Sequence, residues 1–208
     1  MITAVLFDID GVLLDSFEAN LKFYQDLMQA SGYRPPTREE FPELFHLALW
    51  DGIKILTKSP DEKEIERIWE MGRTKQVPYQ FELLKTPAGA EETIKTLAQS
   101  YYLGIVTSRV RENIYSVPSL AALRAYFKVA ISYQDTKRHK PDPEPLLLAA
   151  SRLNAAPENA VYIGDVENDV KAGKAAGMKV IIYSKNAING ADACITSFAE
   201  LPKYISLL

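Results

Sequence analysis

Residues 3–12 read TAVLFDIDGV, and this stretch decides the fold. Its first part is an apolar run with β-branched and aromatic members and no alternation of polar and apolar positions. That pattern is typical of a strand covered on both faces, as in a parallel sheet. Similar runs recur at residues 103–106, 129–132, 160–163 and 179–183. We therefore predict several buried parallel strands, the first of which ends at a pair of aspartates.

Helical patterns lie between most of these runs. Residues 88–100 carry apolar side chains at helical spacing, and residues 144–153 resemble a helix started by proline. Residues 166–176 are rich in alanine and precede Gly177, which can end a helix. Strands that alternate with helices predict an α/β fold with a doubly wound, Rossmann-like parallel sheet.

One region interrupts the alternation, because it contains no convincing strand between the first and second runs. Pro42 and Gly52 are expected to break the second of its helices. The helical stretches predicted there are residues 16–32, 39–56 and 61–76. This is too much helix for one crossover connection. We therefore predict an inserted helical cap domain at residues 16–86, and a catalytic core formed by residues 1–15 and 87–208.

Composition limits the classes of function that fit. The 208 residues include 24 Lys+Arg and 27 Asp+Glu, a formal net charge of -3, which argues against a general nucleic-acid binder. No stretch approaches the roughly 20 apolar residues of a membrane helix, and the first apolar run lacks the basic start of a signal peptide. A lone Cys194 in an apolar context is predicted to be a small core residue. We expect a cytoplasmic protein that binds neither membranes nor nucleic acid.

Carboxylates carry the strongest chemical signal. Asp8 and Asp10 end the first strand, and two such charges at alternate positions point the same way and repel each other. Asp165 ends another strand, and Asp169 follows four residues later. Helix capping could explain the second pair by itself. Because carboxyl ends of parallel strands share one edge, we expect all four side chains to meet there around a divalent cation such as Mg²⁺.

Two further elements point to the same edge. The strand at residues 103–106 ends in Thr107, Ser108 and Arg109, whose hydroxyls and backbone turn suit phosphate oxygens. Lys140 precedes a proline-fixed helix start after another strand. By itself, a Thr-Ser pair or a lysine in a loop does not indicate a phosphate site. Four polar elements that follow four strands, however, favour a common site.

These motifs resemble the haloacid dehalogenase superfamily of phosphatases, in its subfamily with a helical cap between the first two motifs. The matching residues are Asp8-Ile9-Asp10-Gly11-Val12, Thr107-Ser108, Lys140-Pro141-Asp142-Pro143 and Gly164-Asp165-Val166-Glu167-Asn168-Asp169. The resemblance spans nearly the whole chain. The subfamily that it indicates includes phosphoglycolate phosphatases and β-phosphoglucomutases.

The resemblance implies a role for each catalytic residue. Asp8 would be the nucleophile that forms an aspartyl-phosphate, and Asp10 would be the general acid and then the general base. Thr107 and the amide of Ser108 would hold phosphoryl oxygens. Lys140 would neutralise the negative charge between nucleophile and phosphate.

The resemblance also implies a Mg²⁺ site. Its ligands would be Asp8, the backbone carbonyl of Asp10, and Asp165. Asp169 would bind directly or through water, or would orient Lys140.

Substrate contacts are assigned from the motifs and from the predicted cap, which is expected to close over the site and select the leaving group. The candidates are Gly11, Ser108, Arg109, His46 and Lys54. Trp50 is better explained as a core residue and His139 as a positional one. The alternatives are a structural or solvated role for His46, a surface position for Lys54 and a structural salt bridge for Arg109.

The predicted function is therefore a Mg²⁺-dependent phosphatase acting on a small phosphorylated metabolite. Similar proteins hydrolyse phosphoglycolate, sugar phosphates, nucleotides or pyrophosphate. Asp10 argues against haloalkanoate dehalogenation, because dehalogenases generally lack this aspartate. A phosphosugar mutase that uses the same phosphoenzyme remains open. A signalling receiver domain fits poorly because its phosphoacceptor follows the third strand, and the complete motif set argues against a non-catalytic binding protein.

Overall fold

The structure, a computed structural model, describes residues 1–45 and 47–208. The chain forms two compact units. The first comprises Met1–Asp15 and Thr86–Leu208, and the second comprises Ser16–Lys85. In the described residues, none of the helices is both long and apolar enough to cross a bilayer.

The first unit is built on a six-stranded sheet whose strands all pair in parallel. The strands are β1 (Ala4–Phe7), β2 (Tyr102–Val106), β3 (Phe127–Ile131), β4 (Ala160–Gly164), β5 (Lys179–Tyr183) and β6 (Ala193–Ile195). Their order is β3-β2-β1-β4-β5-β6, so the order reverses between β1 and β4. The predicted α/β fold with a doubly wound parallel sheet is confirmed.

Helices flank the sheet in the first unit and make up most of the second unit. They are α1 (Phe17–Ala30), α2 (Leu49–Thr57), α3 (Glu62–Arg73), α4 (Ala90–Leu97), α5 (Pro118–Ala122), α6 (Glu144–Arg152), α7 (Glu167–Ala175) and α8 (Leu201–Ser206). In the first unit, Leu146 and Ala149 of α6 pack with Leu6 of β1, Tyr162 of β4 and Ala172 of α7. Fully burying a side chain such as Leu6 stabilises a fold by about 1.5–3 kcal/mol, so this layer fixes the central strands.

Strand β6 is absent from the sequence prediction. It has three residues, of which only Ile195 is fully buried, so it shows no recognisable apolar run. Cys194 lies in this strand and is half-buried, with its Sγ 3.7 Å from the carbonyl oxygen of Asn186. The residue is therefore less buried than the core position predicted for it.

The second unit packs three helices around an apolar centre. Leu27 and Met28 of α1 meet Ile53 of α2 and Ile65 and Ile68 of α3. These positions recur at helical spacing, as expected for helices that bury one face.

The prediction for residues 39–56 was wrong in one respect, because Gly52 does not break a helix. Residues Phe41–Glu43 form a single 3₁₀ turn, and α2 then runs through Gly52. The glycine is needed for packing, since a Cβ at this position would lie 2.4 Å from the hydroxyl oxygen of Tyr24. Close approach of the Tyr24 ring outweighs the weak helix propensity of glycine.

Candidate active site

The polar residues predicted for a site lie on loops at one edge of the sheet. Asp8 follows β1, Thr107 follows β2, Asp165 follows β4, and Lys140 lies on the loop between β3 and α6. Because β1 pairs in parallel with both β2 and β4, the carboxyl ends of these strands share one edge.

Lys140 is the centre of the hydrogen-bond network at this edge. Its Nζ donates to Asp8 Oδ2 at 2.6 Å, to Asp169 Oδ1 at 2.8 Å and to the hydroxyl oxygen of Tyr162 at 2.8 Å. Burial alone would lower the pKa of Lys140, but the charges of Asp169 and Asp8 raise this pKa well above its usual value. The lysine is therefore held as a cation beside Asp8.

Asp8 is buried at the base of the site. Its Oδ1 accepts a hydrogen bond from the backbone N–H of Ile9 at 2.7 Å, and its Oδ2 accepts from Lys140. Burial is the largest cause that raises the pKa of Asp8 to about 7, and the charge of Lys140 opposes this rise. A further positive charge, in addition to that of Lys140, is therefore needed to keep Asp8 fully ionised at neutral pH.

Three carboxylates lie close enough to share a metal ion. Asp8, Asp165 and Asp169 each place an oxygen so that the three atoms lie within 4.8 Å of one another. Burial, followed by the charges of Asp169 and Asp8, raises the pKa of Asp165 to about 9. Crowded carboxylate oxygens with this repulsion are the donor set that Mg²⁺ prefers, so these residues fit the ion.

Gly11 makes room for one of these carboxylates. Its φ is +78°, and a Cβ built on it would lie 1.9 Å from Asp165 Oδ2. Gly11 therefore lies directly beside the Asp165 carboxylate, and any larger residue at this position would displace that carboxylate.

Asp169 combines a capping role with a role in the site. Its Oδ2 accepts from the backbone N–H groups of Asp165 at 3.0 Å and Val166 at 3.3 Å, at the start of α7. Its Oδ1 accepts from Lys140 and Tyr162. Burial would raise the pKa of Asp169, but the charge and hydrogen bond of Lys140 keep this pKa below its usual value. Both explanations considered for this aspartate thus apply.

Asp10 and Arg109 face each other across neighbouring loops. Arg109 donates from Nε to Asp10 Oδ2 and from Nη2 to Asp10 Oδ1, both at 2.7 Å. The Asp10 carboxylate lies outside the group of three that could share a metal. Arg109, predicted to contact substrate, thus makes a bidentate ion pair within the site.

The Thr107-Ser108 pair differs in exposure. Thr107 is buried, and its Oγ1 accepts from the backbone N–H of Arg109 at 3.2 Å, while Ser108 is exposed. Beside them, a cavity of about 10 Å³ is lined by Thr107, Ser108, Lys140 and Thr136, among others. In the described residues, Thr136, which also lines this cavity, has an Oγ1 that is buried without a hydrogen-bond partner.

The weaker candidates have separate environments. Lys54 is exposed on α2 in the second unit, and Trp50 of the same helix packs against Trp69 with ring centroids 6.3 Å apart. His139 stacks on Tyr133 at 3.9 Å, as expected for a structural residue beside Lys140. His46 lies outside the described residues, and its proposed substrate contact stays a prediction.

Sequence reasoning missed Tyr162. The residue lies within the buried run Ala160–Gly164, where it was counted only as part of a strand. The available signal was a hydroxyl-bearing side chain in an otherwise aliphatic buried strand, two residues before Gly164. Such a hydroxyl needs a hydrogen-bond partner.

Comparison with known proteins places the chain in a family. Residues 5–183 match the family described as haloacid dehalogenase-like hydrolase. A pyrophosphatase, PpaX of Bacillus velezensis, is 33% identical over 181 residues, which cover 86% of this chain and 81% of the relative. The chain belongs to the haloacid dehalogenase-like hydrolases. The predictions of the family and of an enzyme of the hydrolase class are confirmed.

Solved structures resemble this hydrolase along almost its whole length. A haloacid dehalogenase-like hydrolase from Bacteroides fragilis has a TM-score of 0.85 and 27% identity, covering 97% of this chain and 100% of that one. CbbY from Rhodobacter sphaeroides, solved with xylulose 1,5-bisphosphate, has a TM-score of 0.83 and 25% identity, covering 97% and 96%. Both matches extend over the two units of this hydrolase.

Proposed function

We propose that the chain is a phosphatase that hydrolyses a small phosphorylated metabolite through a phosphoenzyme on Asp8. The observation that carries this proposal is the contact of 2.6 Å between Lys140 Nζ and Asp8 Oδ2 at the carboxyl end of the central strand. A buried carboxylate held beside a cation suits attack on an anionic phosphoryl group, because the cation offsets charge that builds up during transfer.

In the first step, a carboxylate oxygen of Asp8 attacks the phosphorus. Asp10 enters this step protonated from solvent on one oxygen, which has released Arg109, while its other oxygen keeps the hydrogen bond from that residue. The bond from phosphorus to the leaving oxygen breaks, and Asp10 gives this proton to that oxygen. Thr107 and the amide of Ser108 hold phosphoryl oxygens, while Lys140 offsets the charge shared by the phosphoryl group and Asp8.

In the second step, water attacks the same phosphorus. The bond between Asp8 and phosphorus breaks, Asp10 accepts a proton from the water, and inorganic phosphate leaves. Arg109 contributes by fixing the direction of the Asp10 carboxylate through its two hydrogen bonds.

Asp8 and Asp165, with the backbone carbonyl of Asp10, would hold Mg²⁺. When bound, the ion offsets the charge of the phosphoryl oxygens and of the crowded carboxylates. Asp169 belongs to the same group of three carboxylates and would bind the ion directly or through water, and its hydrogen bond from Lys140 also orients that lysine. Gly11 acts by admitting the Asp165 side chain.

The relatives' names support a choice of substrates to screen. One relative is named a pyrophosphatase and a structural neighbour binds a sugar bisphosphate, so pyrophosphate and sugar phosphates belong in a screen beside phosphoglycolate and nucleotides. The role of residues 16–86 as a cap that selects the leaving group, with Lys54 and His46 as contacts, remains a prediction.

The test is a phosphate-release screen with Mg²⁺ on the wild-type chain and two variants. Asp8→Asn removes the nucleophile and should lower phosphate release by more than about a thousandfold. Asp26→Asn, which changes an aspartate paired with Lys22 on α1, should leave release unchanged. Turnover that persists in Asp8→Asn contradicts the proposed mechanism. Conversion of a hexose phosphate to an isomer without free phosphate would instead identify a mutase.

A further inference from the structure

Tyr162 is the buried titratable residue in the site that the proposed reaction does not use. It lies in the middle of β4 between Val161 and Ile163, and its exposed fraction is 0%. A buried hydroxyl without partners destabilises a fold, so a tyrosine here requires specific hydrogen bonds.

The hydroxyl of Tyr162 has a partner on each side. It accepts from Lys140 Nζ at 2.8 Å and donates to Asp169 Oδ1 at 3.0 Å. Burial, with the charges of Asp169 and Asp8, raises the pKa of Tyr162 well above its usual value, so the phenol keeps the hydrogen that it donates.

These contacts define the direction of the lysine ammonium. An ammonium has three N–H donors, and Lys140 directs one each to Asp8, Asp169 and Tyr162. Lysine carries its charge on a flexible four-carbon stem, so the position of Nζ depends on such acceptors. Asp8 and Asp169 restrain Nζ from two directions only, and the third acceptor restricts the displacement that these two still allow to the end of the stem.

We propose that Tyr162 is a positioning residue whose hydroxyl fixes Lys140 Nζ against Asp8 during phosphoryl transfer. This inference rests on the proposed phosphatase function, because Lys140 acts there on the transferring group. Tyr162 itself does not touch the substrate, and its aromatic ring belongs to the apolar core.

Tyr162→Phe isolates the hydroxyl, because phenylalanine keeps the ring whose centroid lies 5.5 Å from Lys140 Nζ. With p-nitrophenyl phosphate and Mg²⁺, we expect kcat to fall about tenfold and KM to change less than about twofold, since the lysine acts on charge in the transition state. Tyr24→Phe removes a buried hydroxyl from the second unit and should leave both constants unchanged. An unchanged kcat in Tyr162→Phe overturns the proposal.

A double-mutant cycle with Lys140→Met tests whether the hydroxyl acts through the lysine. The cycle is measured on kcat and on the midpoint of thermal unfolding, which does not depend on turnover. Non-additive effects support the proposal, and additive effects overturn it. Where Lys140→Met does not fold, Lys140→Gln replaces it, so that the cycle still removes the ammonium that the hydroxyl contacts.

The two proposals fail in different ways. If the wild-type chain releases no phosphate from any compound in the screen, the proposed function fails, and the stability cycle still decides whether Tyr162 holds Lys140. If the wild type is active but the cycle is additive, the function stands and the positioning role of Tyr162 is wrong.

Discussion

At Gly11, backbone conformation and side-chain crowding act together. The positive φ favours glycine, and the space that a Cβ would occupy is filled by the carboxylate of Asp165. The crowding, without the positive φ, recurs at Gly164, where a Cβ would lie 2.3 Å from the Cβ of Asp169. Two glycines thus admit two aspartates of the acidic cluster, and this local geometry brings the carboxylates close together.

Gly11→Ala should displace Asp165 and weaken Mg²⁺ binding. We expect at least about tenfold more Mg²⁺ for half-maximal phosphate release, because one ligand leaves its position. The shift in thermal unfolding midpoint on adding Mg²⁺ should shrink as well. Gly89→Ala is the matched control, since Gly89 has a φ of +76° but nothing within 4 Å of an added Cβ. Equal Mg²⁺ requirements in the two variants would count against this role of Gly11.

At the scale of elements, one ion pair joins the loop after β1 to the loop after β2. Asp10 belongs to the first loop and Arg109 to the second, and the guanidinium holds both carboxylate oxygens. Both side chains are largely sheltered from water, with exposed fractions of 26% and 11%, so solvent screens this pair less than an exposed one. The pair therefore links the two loops, and the proposed acid-base group has a defined direction.

Arg109→Gln should impair turnover according to the leaving group. An alkyl phosphate needs proton transfer from Asp10, and its turnover should fall about tenfold or more; p-nitrophenyl phosphate needs little protonation and should lose less. Arg111→Gln is the control on the same loop, because Arg111 pairs with Asp135 instead. Equal losses on both substrates would argue that Arg109 acts elsewhere than on Asp10.

The elements and the site differ in how far the sequence predicts them. Apolar runs gave five strands, and parallel strands bring their carboxyl ends together, so the meeting of Asp8, Lys140 and Asp169 was predictable. The Arg109–Asp10 pair and the Tyr162 contacts were not, because they depend on side-chain directions that spacing does not define. Strand β6 was missed because three residues are too few to show an apolar run, and a break was wrongly expected at Gly52 because its contact with Tyr24 is not visible in the spacing.

For the molecule as a whole, the acidic cluster links stability to pH and to metal. The pKa of Asp8 is raised to about 7 and that of Asp165 to about 9, from an ordinary value of 3.8. At pH values above 3.8, these two carboxyl groups lose their protons in the unfolded chain but keep them in the native state. The native state then binds more protons, so these two groups lower the free energy of unfolding as pH rises toward about 9.

Mg²⁺ should reverse this loss, because it binds the ionised carboxylates. The rise in thermal unfolding midpoint on adding Mg²⁺ should be larger at about pH 9 than at about pH 6. Metal-free Asp165→Asn should be more stable than metal-free wild type at the higher pH and should respond less to the ion. Scanning calorimetry of both proteins with Mg²⁺ or a chelator measures this. A Mg²⁺ effect that is the same at both pH values, or unchanged in Asp165→Asn, would be inconsistent with the linkage.

The central place of β1 also has a consequence for how the chain assembles. This strand comes first in the sequence, yet its two sheet neighbours begin at Tyr102 and Ala160. During synthesis on the ribosome, the backbone N–H and C=O groups on both edges of this fully apolar strand therefore stay unpaired until much of the chain has emerged. The pairings that close it span long sequence separations and form slowly. A nascent chain truncated before β4 would expose an unpaired, aggregation-prone edge of β1, so chaperone protection should matter most at that stage of translation.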